Sequence, residues 1–412
     1  MNGVHAENLG VRKARAARWG TAFLIATAIS VLFLVILVLS IVSQSFGYVL
    51  VTSDVDPASL AREGVALESQ EVPALIETLK EGLTRRHLAA LEEAKPLESR
   101  SREELLGIVM TEIVQERPAR TWTLAQSVFQ RKAIVDFRDS DFPDGRLYFR
   151  SWLRASLLAN PQSSSALDSG LRGAAIGSLA TILLTLLIAF PLGVAAAIWL
   201  EEYAADNAVN RFIQLNIYNL SGVPSIIYGM LGLAVFVRWL EPLTSGVLFG
   251  AAEKGAASGR TILSASLTLA LLVLPVIIIN SQEALRAVPQ SLRKAGLALG
   301  ATKWQTIWHH VLPASADRIL TGTVLAISRA LGETAPLVVV GASTFLTIDP
   351  VSPFSRFTTL PIQIYQWTSR PQGEFKNLAA AAILVLLVLL LTLNATAIIL
   401  RNRFSARRRT NT

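Results

Sequence analysis

Residues 283–313 read EALRAVPQSLRKAGLALGATKWQTIWHHVLP, a polar and basic stretch between two long apolar runs. The stretch predicts two short helices that meet at Gly300, with Pro313 ending the second. The second helix carries an apolar stripe at helical spacing, formed by Trp304, Ile307, Trp308 and Val311. Such a stripe on a basic loop needs a groove, and the turn at Gly300 favours a groove on a partner protein over the membrane surface.

The composition is that of a membrane protein. The chain has 412 residues, of which 52% are hydrophobic and 17% charged, and its mean hydropathy is +0.46. Soluble domains carry about a quarter charged residues. Runs of about 20 apolar residues predict six transmembrane helices, near 19–46, 173–200, 213–240, 262–281, 319–342 and 378–400. The absence of cysteine excludes disulfides and thiolate metal sites. The sequence therefore predicts an all-α membrane protein.

The basic residues predict the orientation. If the amino terminus is cytoplasmic, the inner short segments hold 15 Lys and Arg, against 5 in the outer short loops. That bias follows the positive-inside rule and predicts a cytoplasmic basic N-terminus (1–18) and a cytoplasmic basic tail (404–412). Both basic clusters adjoin apolar runs, so membrane anchoring explains them better than nucleic-acid binding does.

An acidic insertion, residues 47–170, separates the first span from the others. It holds 19 Asp and Glu against 15 Lys and Arg, and by the orientation above it is periplasmic. The stretches 57–69, 75–94 and 101–117 have amphipathic helical spacing, and 139–149 reads as a turn followed by a strand. The sequence predicts a mainly helical folded domain between helices 1 and 2. Its role stays open between a docking surface, a sensory domain and inert bulk.

The sequence predicts no catalytic, cofactor or metal site in this chain. It contains no phosphate-binding loop of the G-x-x-x-x-G-K-S/T kind. None of the four histidines lies near a candidate nucleophile in sequence. His309 and His310 are adjacent and therefore point to different helix faces.

Two charges inside the fifth span are the strongest candidates for a functional site. Arg329 and Glu333 lie four residues apart in RALGETAPLVVVGA (329–342), and charge within the bilayer is costly. If the helix is continuous they share a face and pair. The pair is either a structural ion pair or an anion site, in which Arg329 binds an oxyanion bidentately while Glu333 orients it. Residue chemistry alone leaves both interpretations open.

Three polar residues are further candidates for a transport path. Thr334 follows Glu333 directly. Asn280, near the cytoplasmic end of the fourth span, either donates a hydrogen bond to the anion or satisfies a helix end. Ser225 lies beside Pro224, one of several prolines that mark kinks near a pathway or kinks that packing tolerates.

The loop at 283–313 resembles the ATPase-coupling loop of ABC importer permeases, whose consensus is Glu-Ala-Ala, three residues, Gly, nine residues, Ile, one residue, Leu-Pro. Four of seven consensus positions match, namely Ala295, Gly300, Leu312 and Pro313, whereas three differ, namely Lys294, Gly296 and His310. SGVPSIIYGMLG (221–232), RALGETAPLVVVGA and LPIQIYQW (360–367) are similar to permeases of the phosphate-specific importer, PstA type. These are inner-membrane components of binding-protein-dependent transport systems. The resemblance covers about 172–403 and leaves the insertion uncovered.

The resemblance implies a type I ABC importer permease fold in 171–403 and a subunit that forms half of the path for inorganic phosphate. It implies a PstC-type permease, two PstB-type ATPases carrying ATP and Mg²⁺, and a periplasmic PstS-type binding protein as partners, in the bacterial inner membrane. The residues implied to couple to the ATPases are Lys294, Ala295, Gly296, Gly300, Trp304, Ile307, Trp308, Leu312 and Pro313. The alternatives are a permease for another oxyanion, such as sulfate or molybdate, and a membrane-anchored sensor with a periplasmic domain.

Overall fold

The computed structural model describes residues 2–409 except 63, 251–258 and 343–344, without the side chains of 2–11, 58, 90, 94, 400, 401 and 403–409. Lys254, counted above with the outer loops, and tail residues 410–412 lie outside the described residues. The chain forms two compact units. The first comprises residues 1–153 and 372–381, and the second comprises 154–371 and 382–412.

The first unit begins with helix α1, Asn2–Gln44. Its segment Arg12–Gln44 has a mean hydropathy of 3.0, and none of its most apolar stretch is buried against the rest of the chain. A long helix that is apolar on all sides and unburied is typical of a membrane span. The predicted first span is therefore present as a helix.

A three-stranded antiparallel sheet follows α1 in the first unit. Strand β1 (Phe46–Thr52) lies between β2 (Arg117–Thr121) and β3 (Arg146–Ser151). Strand β3 confirms the turn and strand predicted at 139–149. The other two strands were missed, because FGYVLVT of β1 continues the apolar run of α1 and RPART of β2 has no strand pattern.

The first unit also contains five shorter helices: α2 (Val72–Gly82), α3 (Arg85–Ala94), α4 (Arg102–Val109), α5 (Leu124–Phe129) and α6 (Arg131–Asp141). The predicted helix over 57–69 is wrong. That stretch forms two 3₁₀ turns, Pro57–Leu60 and Leu67–Ser69, with Gly64 between them at φ +79°. A residue with left-handed backbone interrupts a helix, so the apolar residues at helical spacing belong to two separate turns.

The regular elements among the described residues of the second unit are all helices, joined by loops. Its helices are α7 (Ala155–Ala159), α8 (Arg172–Ile198), α9 (Ala208–Ser221), α10 (Ser225–Gly232), α11 (Glu241–Thr244), α12 (Ile262–Arg286), α13 (Gln290–Ala298), α14 (Lys303–Thr306), α15 (Leu312–Gly332), α16 (Ala335–Val340), α17 (Leu360–Thr368) and α18 (Gly373–Arg409), the start of which belongs to the first unit. Helix α12 is central and packs against α8 and α15. Leu269, Val273 and Ile277 of α12 are fully buried in the largest core cluster.

Four segments of the described chain are long and apolar enough to cross a membrane: Arg12–Gln44, Arg172–Tyr203, Ile262–Arg286 and Gly373–Ile399. A fifth forms if Ala208–Ser221 and Ser225–Trp239 are counted together, and these two are bent by 105°. The bend lies at Pro224, which has no N–H to continue the helix and disfavours helical backbone in the residue before it. The span predicted at 213–240 is thus a broken helix.

The span predicted at 319–342 is also broken, so its prediction as one helix is wrong. Helix α15 ends at Gly332, and Glu333 takes extended backbone at φ −73° and ψ 120°. Helix α16 then starts at Ala335 with Pro336 in its first turn. The proline ring would collide with the Gly332 carbonyl in a continuous helix, which explains the break.

Candidate functional site

The two broken helices pack against each other. A Cβ added at Gly229 of α10 would lie 2.6 Å from Cα of Pro336 in α16. About one turn further along α10, a Cβ added at Gly232 would collide with Thr268 of α12. Gly229 therefore allows α10 to lie in backbone contact with the helix that follows the second break, and Gly232 allows α10 to approach α12.

A tyrosine hydroxyl spans the bend between α9 and α10. Tyr228, almost fully buried, donates its hydroxyl hydrogen to the Leu220 carbonyl at 2.7 Å. This bond adds a second donor to a carbonyl in the last turn of α9, which also accepts the N–H of Val223 at 3.1 Å. Sequence reasoning missed Tyr228, although a tyrosine one turn after a proline in an apolar run was the available signal.

Arg329 and Glu333 are paired at the end of α15. The Nε of Arg329 lies 3.5 Å from Oε1 of Glu333, and their side chains are 54% and 18% exposed. The predicted pairing of these two residues is confirmed, but Glu333 directly follows the last residue of α15, so the pair lies at a helix end and not within a continuous span. The separation exceeds the roughly 2.7–2.9 Å of a charge-assisted hydrogen bond. Glu333 therefore holds the guanidinium loosely and leaves much of it accessible.

Arg329 lies on the face of α15 that this chain leaves open. Arg318, Leu325 and Arg329 are exposed at helical spacing, and the opposite face is buried through Ile319, Thr323, Ala326 and Ala330. Arg329 is 17 residues beyond Leu312, the first residue of α15, or about 25 Å along the axis at 1.5 Å per residue. The guanidinium is thus well removed from the predicted coupling loop and lies on a face of α15 that the rest of this chain does not cover.

Ser225 and Thr334 stand at the two helix breaks. Ser225 is the first residue of α10, and Thr334 directly precedes α16. Both are half-buried. The contact between Gly229 and Pro336 brings their segments together, so three predicted path residues, Ser225, Glu333 and Thr334, belong to one packed region.

Asn280 lies elsewhere. A Cβ added at Gly322 of α15 would lie 2.6 Å from Cβ of Asn280. Gly322 precedes Arg329 by seven residues, or roughly 10 Å along the helix. The structure therefore associates Asn280 with the crossing of α12 and α15 and does not bring it to the Arg329–Glu333 pair.

The predicted coupling loop has its two helices, α13 and α14, joined at Gly300. Gly300 has φ +82°, in the left-handed region that favours glycine. A Cβ added at Gly296 would lie 2.8 Å from Oγ1 of Thr306, so the two helices cross in close contact. The prediction that Pro313 ends the second helix is wrong. Pro313 lies in the first turn of α15, where an N–H is not required.

The predicted apolar stripe divides between two surfaces. Trp304 and Trp308 are exposed and stack at 5.5 Å between ring centroids, whereas Ile307 and Val311 are buried with Leu285. A π-helical turn over Ile307–Val311 changes the angular spacing of these side chains, so one face no longer contains all four. Two leucines of the same loop are exposed as well, and we call the four exposed apolar residues the docking face, namely Leu297, Leu299, Trp304 and Trp308.

The other predicted loop residues frame this face. Lys294 and Ala295 are exposed on α13 beside the buried Gly296. Leu312 and Pro313 are half-buried where α15 begins. Lys294, Ala295 and the turn at Gly300 thus lie at the surface, while the crossing at Gly296 is internal.

Three contacts hold the loop to the end of α8, and sequence reasoning missed all of them. The π-helical turn Trp199–Tyr203 continues α8 and carries two glutamates and a tyrosine. Arg286 reaches Glu201 at 2.7 Å, Arg293 reaches Glu202 at 2.6 Å, and Lys303 lies 5.0 Å from the ring centroid of Tyr203. The available signal was the sequence EEY at the end of an apolar run, followed by a basic loop.

Comparison with known protein families identifies the family of this chain. Residues 189–410 match the family described as "Binding-protein-dependent transport system inner membrane component". This chain belongs to that family. The match contains both helix breaks, the docking face and the Arg329–Glu333 pair. The predicted family is confirmed, and the chain is a multi-pass inner-membrane protein.

Curated relatives agree with the family. The chain is 33% identical over 261 residues to "Probable ABC transporter permease protein YqgI" of Bacillus subtilis, covering 60% of this chain and 83% of the relative. It is 33% identical over 236 residues to "Phosphate transport system permease protein PstA" of Xylella fastidiosa, covering 57% of this chain and 76% of the relative.

Among solved structures, the MetNI methionine ABC transporter in an inward-facing conformation has a TM-score of 0.43 at 16% identity. The similarity covers 57% of this chain and 95% of that chain. The family match and the relatives establish an ABC importer permease, a transport subunit whose family implies ATPase and substrate-binding partners. A membrane-anchored sensor has no support in this family.

Proposed function

We propose that the chain is the permease subunit of an ATP-driven importer of inorganic phosphate and forms half of its translocation path. The observation that carries the proposal is the identity to a phosphate permease of Xylella fastidiosa over 76% of that relative. The accessible guanidinium of Arg329 supports it, since a planar fork of N–H donors suits tetrahedral oxyanions.

In this proposal Arg329 binds the anion from the open face of α15. Glu333 limits the attraction, because an ion must bind weakly enough to leave a conduction site. Ser225 and Thr334 would line the same region as hydroxyl donors at the two helix breaks. Asn280 would contribute through helix packing at Gly322, at a distance from the anion.

The docking face would receive an ATPase subunit. Exposed leucines and stacked tryptophans on a basic loop form an apolar surface of the kind that marks a protein interface. The ATPases would supply ATP and Mg²⁺, and this chain would hold neither cofactor and catalyse no reaction. The contacts with Glu201, Glu202 and Tyr203 would carry ATPase motion to α8.

The complete importer would contain this chain, a PstC-type permease, two PstB-type ATPases and a PstS-type binding protein. Both termini would be cytoplasmic and residues 47–170 periplasmic, in agreement with the bias of basic residues toward the inner loops.

Reconstitution of these subunits in proteoliposomes tests the proposal. We expect ATP-dependent uptake of radiolabelled phosphate and stimulation of ATP hydrolysis by the phosphate-loaded binding protein. Equimolar sulfate and molybdate serve as competitors. Uptake of sulfate or molybdate in place of phosphate would overturn the substrate assignment and leave the permease assignment intact.

A further inference from the structure

The junction of α5 and α6 reverses the usual burial of polar and apolar residues. Ser127 is almost fully buried, whereas the next two residues, Val128 and Phe129, are 64% and 86% exposed. Ser127 is held inward because its Oγ accepts the N–H of Tyr48 at 2.9 Å and its hydroxyl donates to the Thr123 carbonyl at 2.7 Å. The sheet thus fixes Val128 and Phe129 on the outer side of the first unit.

This junction lies at the end of a membrane span. The apolar run of α1 extends to Val42, and Ser43 stands directly after it. The N–H of Ala125 in α5 donates to Oγ of Ser43 at 3.2 Å. Phe129 follows Ala125 by four residues, or about 6 Å along a helix axis. Val128 and Phe129 are therefore close to the level at which α1 leaves the apolar core of the bilayer.

Two positive charges follow the apolar pair after Gln130. Arg131 and Lys132 begin α6 and are exposed. Aromatic and apolar side chains beside Lys and Arg are typical of segments that lie in the interface of a membrane, with the charges among anionic headgroups. A protein partner would also cover an apolar pair, but the bond to the end of α1 favours lipid as the occupant.

We propose that Val128–Lys132 is a lipid-binding surface at which the first unit is anchored to the leaflet where α1 ends. Val128 and Phe129 enter the interfacial region, and Arg131 and Lys132 contact anionic phospholipid headgroups. The surface orients the three-stranded sheet against the membrane independently of what the importer transports.

The absence of cysteine makes a direct test possible, because a single introduced cysteine accepts a spin label at one position. Phe129→Cys is labelled in the full-length chain in nanodiscs of phosphatidylethanolamine and phosphatidylglycerol. Collision of the label with oxygen, which concentrates in lipid, is compared with collision with a water-soluble nickel chelate. Val65→Cys is the matched control, since Val65 is also an exposed apolar residue of the first unit.

Val65 is remote from the end of α1. It lies three residues before Glu68, whose carboxylate pairs with Arg146. Arg146 lies opposite Val51, near the end of β1 that is far from α1. Seven residues of strand put that end roughly 20 Å from the start of β1. We expect a ratio of oxygen to nickel collision several-fold higher at Phe129→Cys than at Val65→Cys. Val128→Cys is an independent second reporter.

Equal ratios at the three positions would overturn the proposal and leave the apolar pair free for a protein partner. The charge component is tested by replacing phosphatidylglycerol with phosphatidylcholine. The ratio of oxygen to nickel collision at Phe129→Cys should be lower in the zwitterionic nanodiscs. This dependence on lipid charge should disappear when Arg131→Gln and Lys132→Gln are added. A ratio unaffected by lipid charge would overturn the role of these two residues.

Discussion

Arg293 donates hydrogen bonds from two of its nitrogens to one carboxylate oxygen of Glu202. Its Nε and Nη2 donate to Oε1 at 3.0 and 2.6 Å, and its remaining donors reach the carbonyls of Val288 and Leu285 at 2.8 and 2.9 Å. The Glu202 side chain is 7% exposed and that of Arg293 is 20% exposed. A loop helix is thereby tied to the end of α8 by a buried and multiply bonded ion pair.

Arg293→Ala should destabilise the permease by about 3 kcal/mol, because it leaves the Glu202 carboxylate buried without its partner. We also expect weaker stimulation of ATP hydrolysis by the binding protein, since the loop loses its attachment to α8. Thermal unfolding in detergent and ATPase assays on the assembled importer measure the two effects.

The matched control is Arg286→Ala. Arg286 pairs with the neighbouring Glu201 at 2.7 Å, but its side chain is 53% exposed. An exposed pair contributes about 1 kcal/mol or less, so this variant should be close to wild type. Equal losses in the two variants would contradict the special role of the buried pair.

Gly296→Ala should disturb the crossing of α13 and α14. The new methyl group would lie 2.8 Å from Oγ1 of Thr306, and overpacking of this kind costs about 1–3 kcal/mol. We expect a lower melting temperature and weaker capture of the ATPase subunit. Adding Thr306→Ala removes the clash, so the double variant should recover much of the loss. No recovery would show that the glycine matters for another reason.

Tyr228→Phe should weaken the bend between α9 and α10. The Leu220 carbonyl loses the hydrogen bond donated by the Tyr228 hydroxyl, which lowers the free energy of unfolding by about 1 kcal/mol. Thermal unfolding should report that loss, and transport should fall with it if the bend shapes the path. Tyr365→Phe is the control, since that tyrosine is largely exposed. Identical melting temperatures for Tyr228→Phe and wild type would contradict the prediction.

Arg329→Ala should lower phosphate uptake while assembly persists. Losing charge-assisted hydrogen bonds of about 1.5–3 kcal/mol corresponds to a loss of roughly tenfold to a hundredfold. Arg329→Lys should recover only part of the uptake, because lysine keeps the positive charge but lacks the planar set of N–H donors of the guanidinium. Arg318→Ala, on the same exposed face of α15, should assemble and transport normally. Failure of Arg329→Ala to assemble would favour the structural interpretation of the pair.

Acid should remove one contribution to the stability of the first unit. The hydrogen bond from Lys95 to Glu104 at 2.8 Å lowers the pKa of that carboxyl, which also completes the cap of α4 with Ser101. A carboxyl with a lowered pKa stabilises the fold above its ordinary pKa, and the contribution is lost as pH falls through the lowered value. Glu104→Gln keeps a side-chain oxygen that accepts the N–H of Ser101 in the cap, but it removes the negative charge. The difference in melting temperature between this variant and wild type should shrink toward acid pH, and a constant difference would contradict the prediction.

Local patterns of the sequence were sufficient for much of this protein. Runs of apolar residues located α1, α8, α12 and α18, because a membrane span requires only length and hydropathy. Gly300 located the turn of the coupling loop, since its backbone has a positive φ. The spacing of the loop residues also identified the family before any fold was known.

Tertiary structure decided what depends on contacts between distant residues. Arg293 and Glu202 are 91 residues apart, and nothing in either segment specifies the other. The break at Glu333 was masked because RALGETAPL reads as one apolar helix, although Pro336 lies four residues after Gly332 and excludes a continuous ladder. The π-helical turn at Ile307–Val311 divided a stripe that had ideal helical spacing. Periodicity reports the helix that a segment would form alone, whereas packing determines where that helix bends, ends and finds its partners.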